Sequence, residues 1–145
     1  MNILAAARSD LDALCALENR AFGEKDWLLS RRVFAYHLGK NPLIKAEING
    51  ALAGYALLFT RKNSRTVRLY ALGVDPAFQG QGIGRALLKA AIELARKQAD
   101  RLTLEVRQDN AAAIGLYEKF GFQRAGLLNS YYPDGADGWR MSLGF

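Results

Sequence analysis

Val67 to Arg85 reads VRLYALGVDPAFQGQGIGR, and this stretch decides the fold. The apolar run Leu69 to Val74 fits a buried strand. Asp75-Pro76 ends it, because proline has no N–H to give to a ladder. Gln79-Gly80-Gln81-Gly82-Ile83-Gly84 follows, and then a helical pattern begins. Glycines at alternate positions leave a row of backbone N–H groups with no side chains in the way. At the start of a helix such groups lack intrahelical partners, and the helix dipole favours an anion there. The stretch therefore predicts a phosphate cradle, with a plain turn as the other reading. It holds no GxxxxGK[ST] motif, so it is not a P-loop. Its glycine spacing, and the four residues Asp75 to Phe78 after the strand, also differ from a Rossmann fingerprint.

Downstream, Ile83, Leu87, Ala91, Leu94 and Ala95 share one side of a helix expected from about Gly82 to Gln98. Arg85 falls in its first turn, where the dipole disfavours a cation, so a nearby anion or open solvent must accommodate it. Arg101 to Arg107, RLTLEVR, alternates as a strand, with Thr103, Glu105 and Arg107 on one side. Asn110 can cap the next helix, whose Ala113, Leu116, Tyr117 and Phe120 keep helical spacing until Gly121. Phe122 to Leu128 and Trp139 to Leu143 read as closing strands around a turn at Tyr131 to Gly135.

Upstream, Ser9 is the expected cap of a first helix carrying Leu11, Leu14, Cys15 and Leu17, and Gly23 to Leu29 a loop. Ser30 caps a short second helix closed by Gly39 and Pro42. Leu43 to Ile48 and Ala51 to Phe59 form a hairpin about Asn49-Gly50. Thr66 to Val74 is the central strand. The order β-α-α-β-β-β-α-β-α-β-β implies an α/β chain with a mixed sheet. The strand-helix-strand steps after Thr66 predict parallel pairs, and the NG hairpin and final pair are antiparallel.

The 145 residues suit one domain. Half are hydrophobic and 23% charged, as in an ordinary globule. No apolar run is long enough to span a bilayer, and the N-terminus lacks the pattern of a signal peptide, so a cytoplasmic protein is expected. Cys15 is the sole cysteine and reads as a small core residue; no internal disulfide is possible. His37, the sole histidine, has no cysteine or carboxylate cluster near it and reads as structural, so no metal is expected. The net charge is +6 and the pI about 9.7. The basic residues are scattered and no nucleic-acid motif is present, which ranks nucleic-acid binding last.

VDPAFQGQGIGRALL, LEVRQDNAAAIGLYEKFGF and NSYYPDG together resemble the ribosomal-protein-alanine N-acetyltransferases of the GNAT superfamily. The resemblance is strongest from Leu72 to Phe122. It implies a GNAT fold, mostly antiparallel, with a splayed parallel pair of central strands flanked by helices. It implies acetyl-CoA as co-substrate and acetylation of a primary amine by direct attack on the thioester. It assigns the pyrophosphate to Gln79, Gly80, Gln81, Gly82, Ile83, Gly84 and Arg85, and the pantetheine to the backbone of Leu72, Gly73 and Val74 with Asn110. Gly73 fits a close backbone approach.

Such chemistry needs a neutral amine, a donor to the oxyanion and an acid for the leaving thiolate. Glu105 is unusual in mid-strand, and a salt bridge with Arg107 or a neighbouring strand would explain it without catalysis. The resemblance makes it the proton acceptor, directly or through water. Tyr117 is by spacing a core aromatic; the resemblance makes it the acid near the CoA sulfur, and a phenol of pKa about 10 is protonated at neutral pH. Trp27, Tyr131 and Tyr132 fall where the family's peptide groove lies, or are aromatics packed at an edge. Many relatives carry an acidic pair after the YYP turn; this chain has Ala136-Asp137-Gly138-Trp139. The acceptor classes are a protein N-terminal α-amine, a lysine or small amine, or none at all in a mere acyl-CoA-binding module. An α-amine of pKa about 8 is roughly one-tenth neutral at pH 7, whereas a lysine amine needs about 3 kcal/mol more to deprotonate, so the α-amine is preferred. The chain is expected to act as a monomer or homodimer.

Overall fold

In the computed structural model, which describes residues 1–23 and 27–145, the central strand β4 (Thr66–Val74) changes partners along its length. On one edge it pairs antiparallel with β3 (Ala51–Phe59) from Arg68 to Val74. On the other it pairs parallel with β5 (Arg101–Arg107), but only from Thr66↔Arg101 to Leu69↔Leu104. A register shift on the β3 side leaves Tyr70 unmatched between Leu69 and Ala71. Such a bulge bends its strand. From Tyr70 onward β4 and β5 part, and the edge of β4 towards β5 has no strand partner among the described residues.

The hairpin strand β2 (Leu43–Ile48) joins β3 through Asn49-Gly50, both at positive φ, and the N-terminal β1 (Asn2–Ala5) lies outside it. Beyond β5 come β7 (Gly138–Gly144) and then β6 (Gln123–Leu128), both pairings antiparallel. The sheet order is β1-β2-β3-β4-β5-β7-β6. The expected mixed sheet forms, with one correction. Of the two strand-helix-strand steps only β4 to β5 gives a parallel pair, because β7 inserts between β5 and β6. Nothing local to β6 records that insertion.

Each face of the sheet carries its own core. On one, α3 (Ile83–Arg96) and α4 (Ala111–Lys119) pack over Leu58, Val67, Leu69, Leu102, Leu104 and Met141. Ile83, Leu87, Leu88, Ala91, Ile92 and Ala95 form the buried side of α3. Each such leucine or isoleucine removed from water contributes roughly 1.5–3 kcal/mol. A Cβ on Gly54 would sit 2.9 Å from the Gly73 carbonyl oxygen, Ile83 Cγ2 and Leu87 Cδ1, so α3 lies against bare backbone of β3.

On the other face, α1 (Leu11–Ala21) and α2 (Arg31–His37) close over Leu14, Leu17, Phe34, Tyr55 and Leu57. Ser30 caps α2 as expected, its hydroxyl accepting from the Val33 N–H. Ser9 does not cap α1. A 3-10 turn, Arg8–Asp10, precedes that helix, and Asp10 reaches back to the Ala7 N–H at 2.7 Å. His37 is structural, bonded to Asn41 and packed on Phe59. Cys15 packs at the margin of this core. These two helices cover the β2–β4 half of their face. The expected loop from Gly23 to Leu29 includes residues 24–26, which lie outside the described ones. No helix of the described residues is long and apolar enough to cross a membrane.

Candidate active site

Where β4 and β5 separate, a cleft of about 770 Å3 passes between them. Leu72, Glu105, Asn110, Tyr117, Trp27, Tyr131 and Tyr132 all line it. Residues assigned from separate motifs thus meet in one place, with Tyr117 and Asn110 contributed by α4 and the preceding turn. Gly73 and Val74 belong to the same strand but do not line the cleft. The crowding at Gly73 comes from inside the protein: a Cβ there would stand 2.6 Å from Tyr55 Cε1 and 3.2 Å from Phe22 Cε2.

The glycine loop forms at the head of α3. Gly80 and Gly82 have φ of +80° and +75°, which glycine alone adopts freely, and a Cβ on either would point into open space. Asp75 accepts from Ala77 N–H and closes the turn after β4. The first backbone bond of α3 runs from Ala86 N–H to the Gly82 carbonyl. Among the described residues no acceptor meets the N–H groups from Gly80 to Arg85. Gln79, Gly80, Gln81 and Gly82 are exposed, whereas the Ile83 side chain is buried in the core and leaves only its N–H at the surface. Arg85 is exposed, its guanidinium 5.6 Å from the Phe120 ring, and has no carboxylate partner among the described residues.

Glu105 sits in mid-β5, paired opposite Arg140 of β7. Its Oε2 accepts from Arg68 Nε at 2.8 Å and its Oε1 from Arg140 Nε at 3.4 Å. The side chain is 8% exposed. The salt bridge considered from sequence is thus made across strands, not with Arg107. Arg107 instead forks onto Asp134 at 2.7 and 3.1 Å and lies over the Tyr132 ring. That guanidinium holds the Asp134 carboxyl down at about 2.

Tyr117 projects from α4, which Asn110 caps by accepting from Ala113 N–H. Its ring rests against Phe122 and the α3 core. Burial pushes the phenol pKa up to about 12, so the group keeps its proton throughout the physiological range.

Trp27, Tyr131 and Tyr132 form one aromatic cluster. Trp27 meets Tyr131 edge-on at 4.9 Å and Tyr132 at 5.4 Å, and the two tyrosines meet edge-on at 5.1 Å. Trp27 is half exposed. Arg68 donates to Tyr131 Oη at 3.3 Å, which joins this cluster to Glu105. Trp139 is not part of it: it packs on the α3 side beneath Arg124. Asp137 accepts from Ser130 N–H and shapes the turn.

Sequence reasoning missed Glu18 and Tyr55, which also line the cleft. Both are buried, Glu18 at 2% exposure. Tyr55 Oη donates to Glu18 Oε1 at 2.5 Å, and Leu29 N–H donates to Oε2 at 2.8 Å. Burial, with the adjacent Glu18 carboxylate, holds the Tyr55 phenol well above its usual pKa. A charged residue amid the apolar side of α1 was the only available signal.

Comparison with known proteins agrees with this architecture. Residues 11–122 match the model of the acetyltransferase (GNAT) family. The N-alpha-acetyltransferase RimI of Mycobacterium tuberculosis is 38% identical over 97% of this chain and 90% of its own length. The crystal structure of the ribosomal-protein-S18-alanine N-acetyltransferase of Escherichia coli superposes with a TM-score of 0.89 at 36% identity, covering 99% of this chain and 92% of that one. A Salmonella typhimurium protein solved with its cofactor acetyl-CoA gives 0.85 at 25% identity, over 99% of this chain and 92% of that one. With matches of this length and identity, the chain belongs to the GNAT family of acetyltransferases.

Proposed function

We propose that this N-acetyltransferase transfers acetyl from acetyl-CoA to the N-terminal α-amine of a protein. One observation carries the proposal: the strands part after Leu69↔Leu104, and Glu105 and Tyr117 both line the opening. The relatives named for N-terminal acetylation support the acceptor class.

The residues present fit the donor. Among the described residues the N–H groups of Gly80 to Arg85 are without acceptors at a helix head, as a diphosphate requires. The β4 edge from Tyr70 to Val74 is open, as an extended pantetheine chain requires. Asn110 lines the same opening. Acetyl-CoA supplies a thioester carbonyl open to attack and a thiol as leaving group.

Glu105 receives a proton from the incoming ammonium at Oε1 or Oε2, directly or through one water. Arg68 and Arg140 fix the orientation of that carboxylate by bonding both oxygens. About one-tenth of an α-amine is already neutral at pH 7, so little deprotonation is asked of the site. Tyr117 holds its proton at Oη below about pH 12 and can give it to a departing thiolate. Trp27, Tyr131 and Tyr132 form the wall along which the first acceptor residues lie.

The test is thiol release with acetyl-CoA and a panel of peptides bearing free or blocked N-termini, with and without lysine. Release that requires a free α-amine supports the proposal. Release that follows lysine content, or no release while acetyl-CoA binds, overturns it.

A further inference from the structure

Beside Glu105 lies a second recess of about 320 Å3. Arg61, Arg68 and Arg140 line it, with the hydroxyls of Thr66 and Thr103 and the ring of Phe59. Among the described residues its one carboxylate is Glu105, which it shares with the main cleft. Three arginines therefore line a recess that holds one carboxylate among the described residues.

Their remaining hydrogen-bonding capacity is considerable. Arg68 spends Nε on Glu105 and one terminal nitrogen on Tyr131 Oη. Arg140 touches Glu105 through Nε alone, and no acceptor meets its two terminal nitrogens among the described residues. Arg61 is exposed and has no ion pair among them. A guanidinium fork with free terminal nitrogens suits a carboxylate. Neutralising Glu105 needs one arginine, and Arg68, at 2.8 Å, is placed to do it. The recess thus adjoins Glu105, the proposed proton acceptor, with the terminal nitrogens of Arg140 and the Arg61 guanidinium unspent among the described residues.

Resting on the α-amine reading above, we infer that this enzyme selects acceptors carrying an aspartate or glutamate within the first three residues, held in the recess by Arg140 and Arg61. Glu105 borders both cavities, so a side chain entering the recess belongs to a residue close to the reacting amine. An extended chain advances about 3.3 Å per residue, which limits the reach to the first few positions. The same excess of arginine over carboxylate disfavours acceptors whose early residues are lysine or arginine.

The experiment uses matched peptides with one N-terminal residue and aspartate, asparagine or lysine at the second or third position. We expect kcat/KM for the aspartate peptide to exceed that for the asparagine peptide by about fivefold or more, mainly in KM, with lysine lowest. Arg140→Gln should bring the aspartate-to-asparagine ratio close to one. The ratio is taken within each variant, so a general loss of activity cancels. Arg61→Gln, which leaves the Glu105 contacts in place, should lower the ratio as well. Equal rates for the two peptides in the unaltered enzyme, or a ratio unmoved in both variants, overturns the inference while leaving α-amine acetylation standing. Calorimetric binding of the same peptides reads the recess without turnover. A binding preference for aspartate without acetylation upholds the recess and overturns the proposed function; equal binding overturns the recess.

Discussion

On one side of the cleft, Leu72 to Arg85 presents backbone: an open strand edge, then N–H groups at the head of α3. On the other, Glu18, Trp27, Tyr55, Tyr131 and Tyr132 present side chains from widely separated segments. In the proposed function the backbone side would hold acetyl-CoA, through its diphosphate and extended amide chain. The side-chain side would hold the acceptor. Glu105 and Tyr117 stand where the two meet. The largest effect is expected there: Glu105→Gln should lower kcat/KM by about a hundredfold or more, ~3 kcal/mol, and Tyr117→Phe by about tenfold. Circular dichroism should show both variants folded. Full turnover in either removes that residue from the chemistry.

The next effect separates the sides by stability and by substrate. Glu18→Ala would leave Tyr55 Oη and Leu29 N–H buried without their acceptor. It should cost about 2 kcal/mol in denaturant unfolding and raise the peptide KM, since Leu29 anchors the chain that carries Trp27. The acetyl-CoA KM should hold. Gly82→Ala should do the reverse. An alanine at φ +75° costs about 1 kcal/mol, and the acetyl-CoA KM should rise roughly fivefold with the peptide KM unchanged. If each variant moves both KM values alike, the division of labour is wrong.

The same division explains what the sequence disclosed. The backbone side was legible because its glycines are local signals: their spacing predicted N–H groups free of side chains, and Gly80 and Gly82 are exposed at the head of α3, both at positive φ. Local signals also held for the Asn49-Gly50 hairpin, the Ser30 and Asn110 caps and the buried side of α3. The acceptor side depends on contacts between distant residues. Glu18 meets Tyr55, and Arg68 meets both Glu105 and Tyr131. No periodicity encodes such pairs. Glu105 stood out as a charge in a strand, but which arginines bind it follows from strand order, and β7 entering between β5 and β6 was not foreseeable from either neighbour. Ser9 failed as a cap for a local reason. Asp10, one residue on, offers a carboxylate to the Ala7 N–H and makes the tighter turn.

The smallest effect concerns the tie between the two sides. Arg20 of α1 donates to Asp75 Oδ2 through two nitrogens, at 2.6 and 3.2 Å, just where β4 gives way to the glycine loop. That contact, helped by the Ala77 N–H, holds the Asp75 carboxyl below its usual pKa. A lowered folded-state pKa contributes stability above the unfolded value, about 3.9, and loses it as pH falls through the folded one. Asp75→Asn keeps an oxygen for Ala77 and removes only the charge. It should cost about 1 kcal/mol or less, because half of Arg20 is exposed and water screens the pair. The difference in unfolding free energy between the two proteins should stay constant from pH 8 to about 5. It should shrink once the pH drops below about 4, where the unaltered protein loses the same charge. A difference that persists undiminished at pH 2 would mean that the asparagine disturbs the turn itself, and that the two sides of the cleft are joined by something other than this ion pair.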